Sequence, residues 1–137
     1  MLLGQRILVA DRDRAAGAAL CERVRAMGGD AIGPIGWGWR ALRLVDRERL
    51  DGAVLEIELR DGDVTPLALR LVERDVAFVI RSTLPAPAAV KAARLDVPVV
   101  AKAAPAGVVL CALAEELRLR QRERREGGQV KTGSGLV

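Results

Sequence analysis

The 137-residue sequence contains no histidine and two cysteines, Cys21 and Cys111, neither of which belongs to a CxxC pair. Zinc sites are built from clustered cysteine and histidine ligands, and the serine-histidine-aspartate triad needs an imidazole as its base. The composition therefore excludes both kinds of site. We expect the two thiols to be reduced core residues of a cytoplasmic protein, because disulfides are rare in that compartment.

Aromatic residues are also scarce, at 2% of the sequence, so the core must be built from aliphatic side chains. Proteins that bind single-stranded nucleic acid stack its bases on exposed aromatics, and the scarcity argues against that function. No apolar run approaches the roughly 20 residues of a membrane-spanning helix. The N-terminal segment becomes charged too early for a signal peptide. We therefore expect a cytoplasmic protein that makes no membrane contact.

The formal net charge is +4, and much of the excess lies in the segment "LRLRQRERR" at residues 117–125. Such a segment is either the solvated end of a helix or a patch for nucleic acid or another anionic surface. We favour the solvated helix, and a salt-dependent affinity would identify the patch. The length suits one domain, for which we predict residues 1–126. The glycine-rich residues 127–137 predict a disordered tail.

Short apolar runs alternate with segments of helical periodicity five times along the chain. Such alternation predicts an α/β fold with a parallel sheet and helices on both faces. The runs lack the period-two pattern of half-exposed strands, which agrees with burial on both sides. The predicted strands are residues 5–10, 30–35, 52–57, 76–80 and 97–101.

Polar residues follow four of these runs. In an open parallel sheet, binding sites form where the strands end at their carboxyl edge. One polar residue at a strand end is expected wherever the strand meets solvent, but the set as a whole predicts a site. The residues at these ends are Asp11, Arg12, Glu56, Arg81, Ser82 and Lys102.

Several segments, in order and spacing, resemble the receiver domain of bacterial two-component response regulators. They are "ILVADRD", "GDAIGPIG", "AVLEIELRDG", "FVIRST" and "PVVAKAAP", and the resemblance spans about residues 5–120. It implies a five-stranded, doubly wound sheet of the flavodoxin-like or CheY-like type, with strand order 2-1-3-4-5. It also implies a domain in which phosphoryl transfer from a histidine kinase shifts a surface between two states.

The sequence departs from that pattern at three positions. The resemblance places Glu56 where the phospho-accepting aspartate is expected and Arg12 where the second residue of the acidic pair is expected. Ala103, which follows Lys102, replaces the proline that usually comes after this lysine in the family. Asp11, Ser82 and Lys102 match the pattern, so the predicted degenerate pocket consists of Asp11, Arg12, Glu56, Ser82 and Lys102.

These changes predict a pocket that needs no metal. Two carboxylates, Asp11 and Glu56, face two cations, Arg12 and Lys102, and a Mg²⁺ ion beside Arg12 would be repelled at short range. Glutamate is longer than aspartate by one C–C bond, roughly 1.5 Å, which misplaces it as a nucleophile. We predict instead that Lys102 and Ser82 hydrogen-bond Glu56. We also predict that Arg12 forms a fixed, bidentate ion pair with Glu56, which locks the domain in one state.

Two alternatives to this lock follow from the same residues. The pocket could have decayed, with the guanidinium of Arg12 in water and Glu56 half solvated. A conventional, phosphorylatable receiver could instead survive if Asp13 joined Asp11 and Glu56 as ligands of Mg²⁺. The favoured prediction contains no catalytic residue, metal or cofactor.

Two surfaces are candidates for protein contacts. Trp37 and Trp39 lie in "GPIGWGWRAL", and an exposed tryptophan is a common interface anchor. Leu113 and Leu117 lie on the last predicted helix, which belongs to the face that often mediates receiver dimers. The partners expected are other signalling proteins, such as a histidine kinase or a regulatory partner, or a second copy of this chain.

The favoured function is that of a stand-alone, non-enzymatic receiver-like domain that signals through protein contacts. A small flavodoxin-like nucleotide-binding protein or enzyme is the alternative from another class. The glycines of "GPIGWGW" lack the GxGxxG spacing, and the segment has no P-loop lysine, which argues against that alternative.

Overall fold

The structure, a computed structural model, describes residues 2–82 and 97–135, with side chains through residue 127. In chain order its first half contains β1 (Arg6–Ala10), α1 (Arg14–Ala26), β2 (Asp30–Ile35), α2 (Gly38–Arg47) and β3 (Gly52–Glu56). Its second half contains β4 (Glu58–Leu59), β5 (Gly62–Asp63), α3 (Thr65–Glu73), β6 (Ala77–Ser82), β7 (Val99–Ala101) and α4 (Ala106–Gly135).

The five longer strands form one parallel sheet in the order β2-β1-β3-β6-β7. Counted along the chain without the small β4–β5 hairpin, this is the predicted order 2-1-3-4-5, which is confirmed. Glu56 at the end of β3 pairs in register with Arg81 of β6. The register therefore aligns the carboxyl ends of the central strands at one edge of the sheet.

Helices cover both faces of the sheet and enclose two aliphatic cores. Alternate residues of β1 enter opposite cores, since Leu8 packs with α2 and α3 while Ile7 packs with α1 and α4. Each core contains side chains that are fully removed from water, which is the main stabilising contribution to such a domain. Helix residues of the first core include Ala41, Val45, Leu67 and Leu71, and those of the second include Leu20, Val24, Val109 and Leu110.

The edge strand β2 carries an irregularity that brings its end close to the end of β1. The register of β1 against β2 shifts between Leu8 and Ala10, and Gly33 has a φ of 124°. A side chain there would meet the Val9 carbonyl oxygen at 2.5 Å, so both the space and the backbone conformation require glycine. Beyond this point the amide of Asp11 donates to the carbonyl of Ile35 at 2.9 Å.

The structure differs from the sequence-based expectations in three places. The β4–β5 hairpin was not predicted. Helix α4 continues to Gly135, through most of the segment 127–137 for which glycine content predicted disorder. Cys21 is buried as expected, whereas Cys111 is exposed on α4 and is not a core residue. The short helix predicted at 86–96 lies outside the described residues.

Within the described ranges, none of the helices combines the length and apolar character needed to cross a membrane.

Candidate functional site

The described residues contain four buried polar or charged side chains, and all of them lie at the carboxyl edge of the sheet. Asp11 follows β1, Glu56 ends β3, and Arg81 and Ser82 end β6, with exposures between 2% and 8%. Lys102 follows β7 and extends a side chain that is 32% exposed toward the same place. Because charged side chains are almost never buried without partners, the pairing of these groups defines the site.

Asp11 is paired with Arg81, which we expected at a strand end but did not include in the predicted pocket. The guanidinium of Arg81 donates through Nη1 to Asp11 Oδ2 at 3.2 Å and through Nη2 to the Lys102 carbonyl at 3.2 Å. The side chain reaches past β3, which lies between β1 and β6. A lone arginine at the end of an apolar central strand was the signal for this pair, since such a residue needs a buried counter-charge.

Both carboxylate oxygens of Glu56 accept hydrogen bonds. The ammonium group of Lys102 donates to Oε1, and the backbone amide of Arg12 donates to Oε2 at 2.9 Å. Burial alone would raise the pKa of Glu56, but its hydrogen bonds with Asp11, Lys102 and the Arg12 amide outweigh burial and hold that pKa below its ordinary value. Glu56 is therefore an ionised and fully engaged carboxylate.

The side chains of Asp11 and Glu56 also contact each other. Burial, together with the hydrogen bond to Glu56, raises the pKa of Asp11 to about 6. The amide of Asp13, which donates to Asp11 Oδ1 at 2.8 Å, and the charge of Arg81 act in the opposite direction. When the two groups share a proton, Asp11 is therefore the one that holds it, and Glu56 keeps its charge beside Lys102.

The predicted Arg12–Glu56 ion pair is present only as one long contact, so its bidentate geometry is wrong. Arg12 Nε lies 3.9 Å from Glu56 Oε1, and Nη1 lies 3.7 Å from the exposed carboxylate of Glu58. The side chain of Arg12 is 52% exposed, because it leaves the sheet edge toward solvent while its backbone amide faces Glu56. Lys102 is one of the two cations that balance the pocket, as expected, and Arg81 is the other in place of Arg12.

The alternative Mg²⁺ ligands Asp11, Asp13 and Glu56 are each engaged within the chain. Asp13 caps α1, since its Oδ1 accepts from the amides of Ala15 and Ala16 at 3.0 and 3.2 Å. Asp11 and Glu56 are bound to cationic side chains. In the described parts of the chain, no group of three or more His, Cys, Asp or Glu residues is placed to hold a metal ion. A Mg²⁺ ion would have to displace these contacts to reach the carboxylates.

The four candidate interface residues fall into two classes. Trp37 and Trp39 are 40% and 47% exposed at the start of α2, so both tryptophans are available for contacts. Leu113 and Leu117 are 0% and 9% exposed and pack in the core between α4 and the sheet. The prediction that these leucines form an interaction surface is wrong, because the apolar face of α4 packs against the sheet.

Most of the positive charge on α4 is balanced by carboxylates of the same chain. Arg120 and Arg124 pair with Asp75, which precedes β6, and the second of these contacts measures 3.4 Å. Arg118 pairs with Glu115 at 2.6 Å, and a further pair joins Arg122 and Glu126 at 3.4 Å. This agrees with the solvated helix favoured from the sequence.

No model of a known protein family matches the chain, and no curated protein does. Solved structures do match it over most of its length. A CheY-like response regulator receiver domain protein from Methanospirillum hungatei JF-1 is 18% identical, with 88% of this chain and 98% of that one covered and a TM-score of 0.78. The signal receiver domain of a modulated diguanylate cyclase from Desulfovibrio desulfuricans G20 is 21% identical to this chain. The match covers 88% of this chain and 98% of that one, with a TM-score of 0.76.

A third similar structure is a response regulator protein from Burkholderia pseudomallei with a phosphorylated aspartic acid, a calcium ion and citrate. It is 19% identical to this chain. The match covers 88% of this chain and 72% of that one, with a TM-score of 0.71. Such identities establish the architecture of the chain and leave its activity to be argued from the site. The chain has the fold of a response regulator receiver domain.

Proposed function

We propose that this chain is a non-enzymatic, receiver-like signalling domain that acts through protein contacts and without phosphorylation or Mg²⁺. The observation that carries the proposal is the closed set of buried ion pairs at the carboxyl edge, in which Arg81 balances Asp11 and Lys102 balances Glu56. The positive charge that a bound cation would bring is already supplied by side chains.

The state of Glu56 supports the absence of phosphorylation. To attack a phosphoryl group, its carboxylate would have to leave Lys102 and the Arg12 amide, and the residue is only 3% exposed. In-line attack requires the nucleophile within about 3–3.5 Å of phosphorus and correctly aligned. A glutamate held at both oxygens must first release these contacts, so we expect it to be a poor nucleophile.

The Burkholderia pseudomallei protein offers an instructive contrast, since its structure combines a phosphorylated aspartic acid with a calcium ion. Here a glutamate combines with a buried guanidinium and an ammonium group. Removing either cation would leave a buried carboxylate uncompensated, which is strongly unfavourable. We infer that the pairs hold the edge of the sheet in one arrangement, which is the lock predicted from the sequence, made with Arg81 in place of Arg12.

Partner contacts are assigned in this proposal to the surface around Trp37 and Trp39. Arg40 and Arg43 lie 5.3 and 6.0 Å from the centre of the Trp39 ring, within range of cation–π attraction, and Trp39 is still 47% exposed. Tryptophan and arginine together are typical of the centres of protein interfaces. The partners proposed are signalling proteins, such as a histidine kinase or a regulatory partner, or a second copy of the chain, in the cytoplasm.

Intact-protein mass spectrometry after incubation with acetyl phosphate and millimolar Mg²⁺ tests the absence of phosphorylation. We expect no mass gain, and no increase in melting temperature with Mg²⁺ alone. A phosphorylatable receiver treated in parallel serves as the positive control. A gain of one phosphoryl group that disappears in Glu56→Gln would overturn the proposal.

Urea unfolding of Glu56→Gln tests the lock. We expect the free energy of unfolding to fall by about 1–2 kcal/mol, because Lys102 loses its charged partner. Glu58→Gln is the matched control, since Glu58 is exposed and meets Arg12 only at 3.7 Å; its effect should stay within about 0.5 kcal/mol. An unchanged or increased stability of Glu56→Gln would count against a lock.

A further inference from the structure

A second cluster of charges lies on the opposite side of Asp11, between the ends of β1 and β2. A cavity of about 240 Å³ opens there. Its lining includes four arginines, from the β1–α1 connection, the first residue of α1, the first turns of α2 and the β4–β5 hairpin, and it also includes one carboxylate and one indole. These residues are Arg12, Arg14, Arg40, Arg60, Asp11 and Trp37.

The guanidinium groups around this cavity have fewer close carboxylate partners than the cations of the buried pocket. Asp11 is already paired with Arg81, and Arg12 reaches carboxylates only at 3.7 and 3.9 Å. In the described ranges, Arg14 and Arg40 make no ion pair. Like charges gathered around one concave surface attract a multivalent anion, because the walls focus their field into the cavity.

The wall on the hairpin side is fixed by backbone contacts. The Arg60 amide donates to the Gly36 carbonyl at 2.9 Å, and Arg60 Nη2 donates to the Arg12 carbonyl at 3.2 Å. A Cβ atom at Gly36 would approach Arg60 Nε to 2.9 Å, so glycine leaves the room that this guanidinium occupies. Next to it, Asp61 accepts from the amides at the start of α2 at 2.7 and 3.1 Å. The positions of α2 and of the hairpin around the cavity are thereby coupled.

We propose that this cavity binds a small anion that contains a diphosphate group. Guanidinium groups recognise phosphate oxygens through paired hydrogen bonds and charge. A single phosphate brings at most about two negative charges, whereas two linked phosphates bring more and come closer to balancing the four arginines. The volume is below the roughly 300–1,000 Å³ of pockets that enclose drug-sized ligands, so the group held inside is a compact one.

The diphosphate could be free or part of a nucleotide. Trp37 lines the cavity and is 40% exposed, so a base attached to the bound diphosphate would have an indole to stack on. The cavity adjoins the pocket of Glu56, Ser82 and Lys102 and shares Asp11 and Arg12 with it, but Glu56, Ser82 and Lys102 do not line it.

Isothermal titration calorimetry with inorganic pyrophosphate tests the proposal on the full chain. We expect saturable binding that weakens as salt increases. Arg14→Gln and Arg40→Gln should each weaken it about tenfold, which is the loss of one charge-assisted hydrogen-bonding group. Arg43→Gln is the matched control, since Arg43 lies on the same helix beside Trp39 and outside the cavity; it should change affinity less than about twofold. Circular dichroism verifies that each variant is folded.

A wild-type chain that shows no saturable heat at millimolar pyrophosphate would overturn the proposal. Equal losses in Arg43→Gln and Arg40→Gln would overturn it too, because they would indicate unspecific attraction to a basic surface. The source of the diphosphate is identified by comparing ADP with pyrophosphate in Trp39→Phe, which leaves Trp37 as the single tryptophan. Tighter binding of ADP with quenched fluorescence identifies a nucleotide, and equal or weaker binding without quenching identifies a free diphosphate; either result supports the cavity as the site.

Discussion

The two sides of Asp11 arrange their charges in opposite ways. On the side of β3 and β6, Asp11, Glu56 and Arg81 are buried, and each carboxylate has a cationic partner. On the side of β2, exposed arginines surround an open cavity with little negative charge among them. In the interior an unpaired charge costs several kcal/mol, so pairing there is obligatory. At the surface water screens the charges, which remain available to a ligand.

The contrast separates the charges that maintain the fold from the charges that can serve recognition. The buried pairs cannot exchange partners without exposing a charge to an apolar surrounding, so they hold the strand ends in place. The exposed arginines can change partners at little cost. Three experiments compare the two sides, beginning with the buried charge.

Arg81→Met removes the guanidinium and keeps a long apolar side chain. We expect the free energy of unfolding to fall by about 3–5 kcal/mol, because Asp11 is left buried beside Glu56 without its cation. Urea unfolding at pH 7 measures the loss. Arg14→Met, on the open side, is the control and should stay within about 0.5 kcal/mol. A similar small effect for both variants would show that the buried pair does not hold the site.

The pH dependence of stability tests the raised pKa of Asp11. The pKa of Asp11 rises from 3.8 to about 6 on folding, chiefly through burial. The folded chain then binds more protons than the unfolded chain in this interval, so Asp11 stabilises the fold below about pH 4 and loses that contribution as pH rises through 6. The loss is on the order of 3 kcal/mol at most.

Glu56, whose pKa is lowered, acts in the opposite sense and loses its contribution as pH falls through its folded-state pKa. Urea unfolding of the natural chain and of Asp11→Asn between pH 4 and 7 separates the two groups. We expect the decline between pH 4 and 6 to be absent from Asp11→Asn. Parallel profiles for the two proteins would contradict the raised pKa of Asp11.

Arg12→Met should have the smallest effect of the three. Its guanidinium is half exposed, and its distances to Glu56 and Glu58 of 3.9 and 3.7 Å are those of weak surface pairs. We expect a change in the free energy of unfolding within about 0.5 kcal/mol, measured as for Arg81→Met. A loss as large as that of Arg81→Met would instead favour the Arg12–Glu56 lock predicted from the sequence.

Much of the fold followed from local pattern. The alternation of apolar runs with helical periodicity predicted the strands, and the resemblance supplied their order 2-1-3-4-5, which the sheet adopts. Polar residues at the strand ends predicted the site, where Glu56 contacts both Asp11 and Lys102. Each of these features depends on residues that are close together in the sequence, so the amino-acid sequence alone was sufficient to locate them.

Partner choice among the charges depended on the tertiary structure. Arg12 is next to Asp11 in sequence and Arg81 is far from it, yet Arg81 lies in β6, in register with Glu56, and reaches Asp11 past β3. Periodicity likewise assigned Leu113 to an apolar helix face, but only packing decided that the sheet covers that face. The sequence by itself determined which residues are apolar and where the strands end. The assembled sheet decided which charges lose water, and therefore which of them must pair.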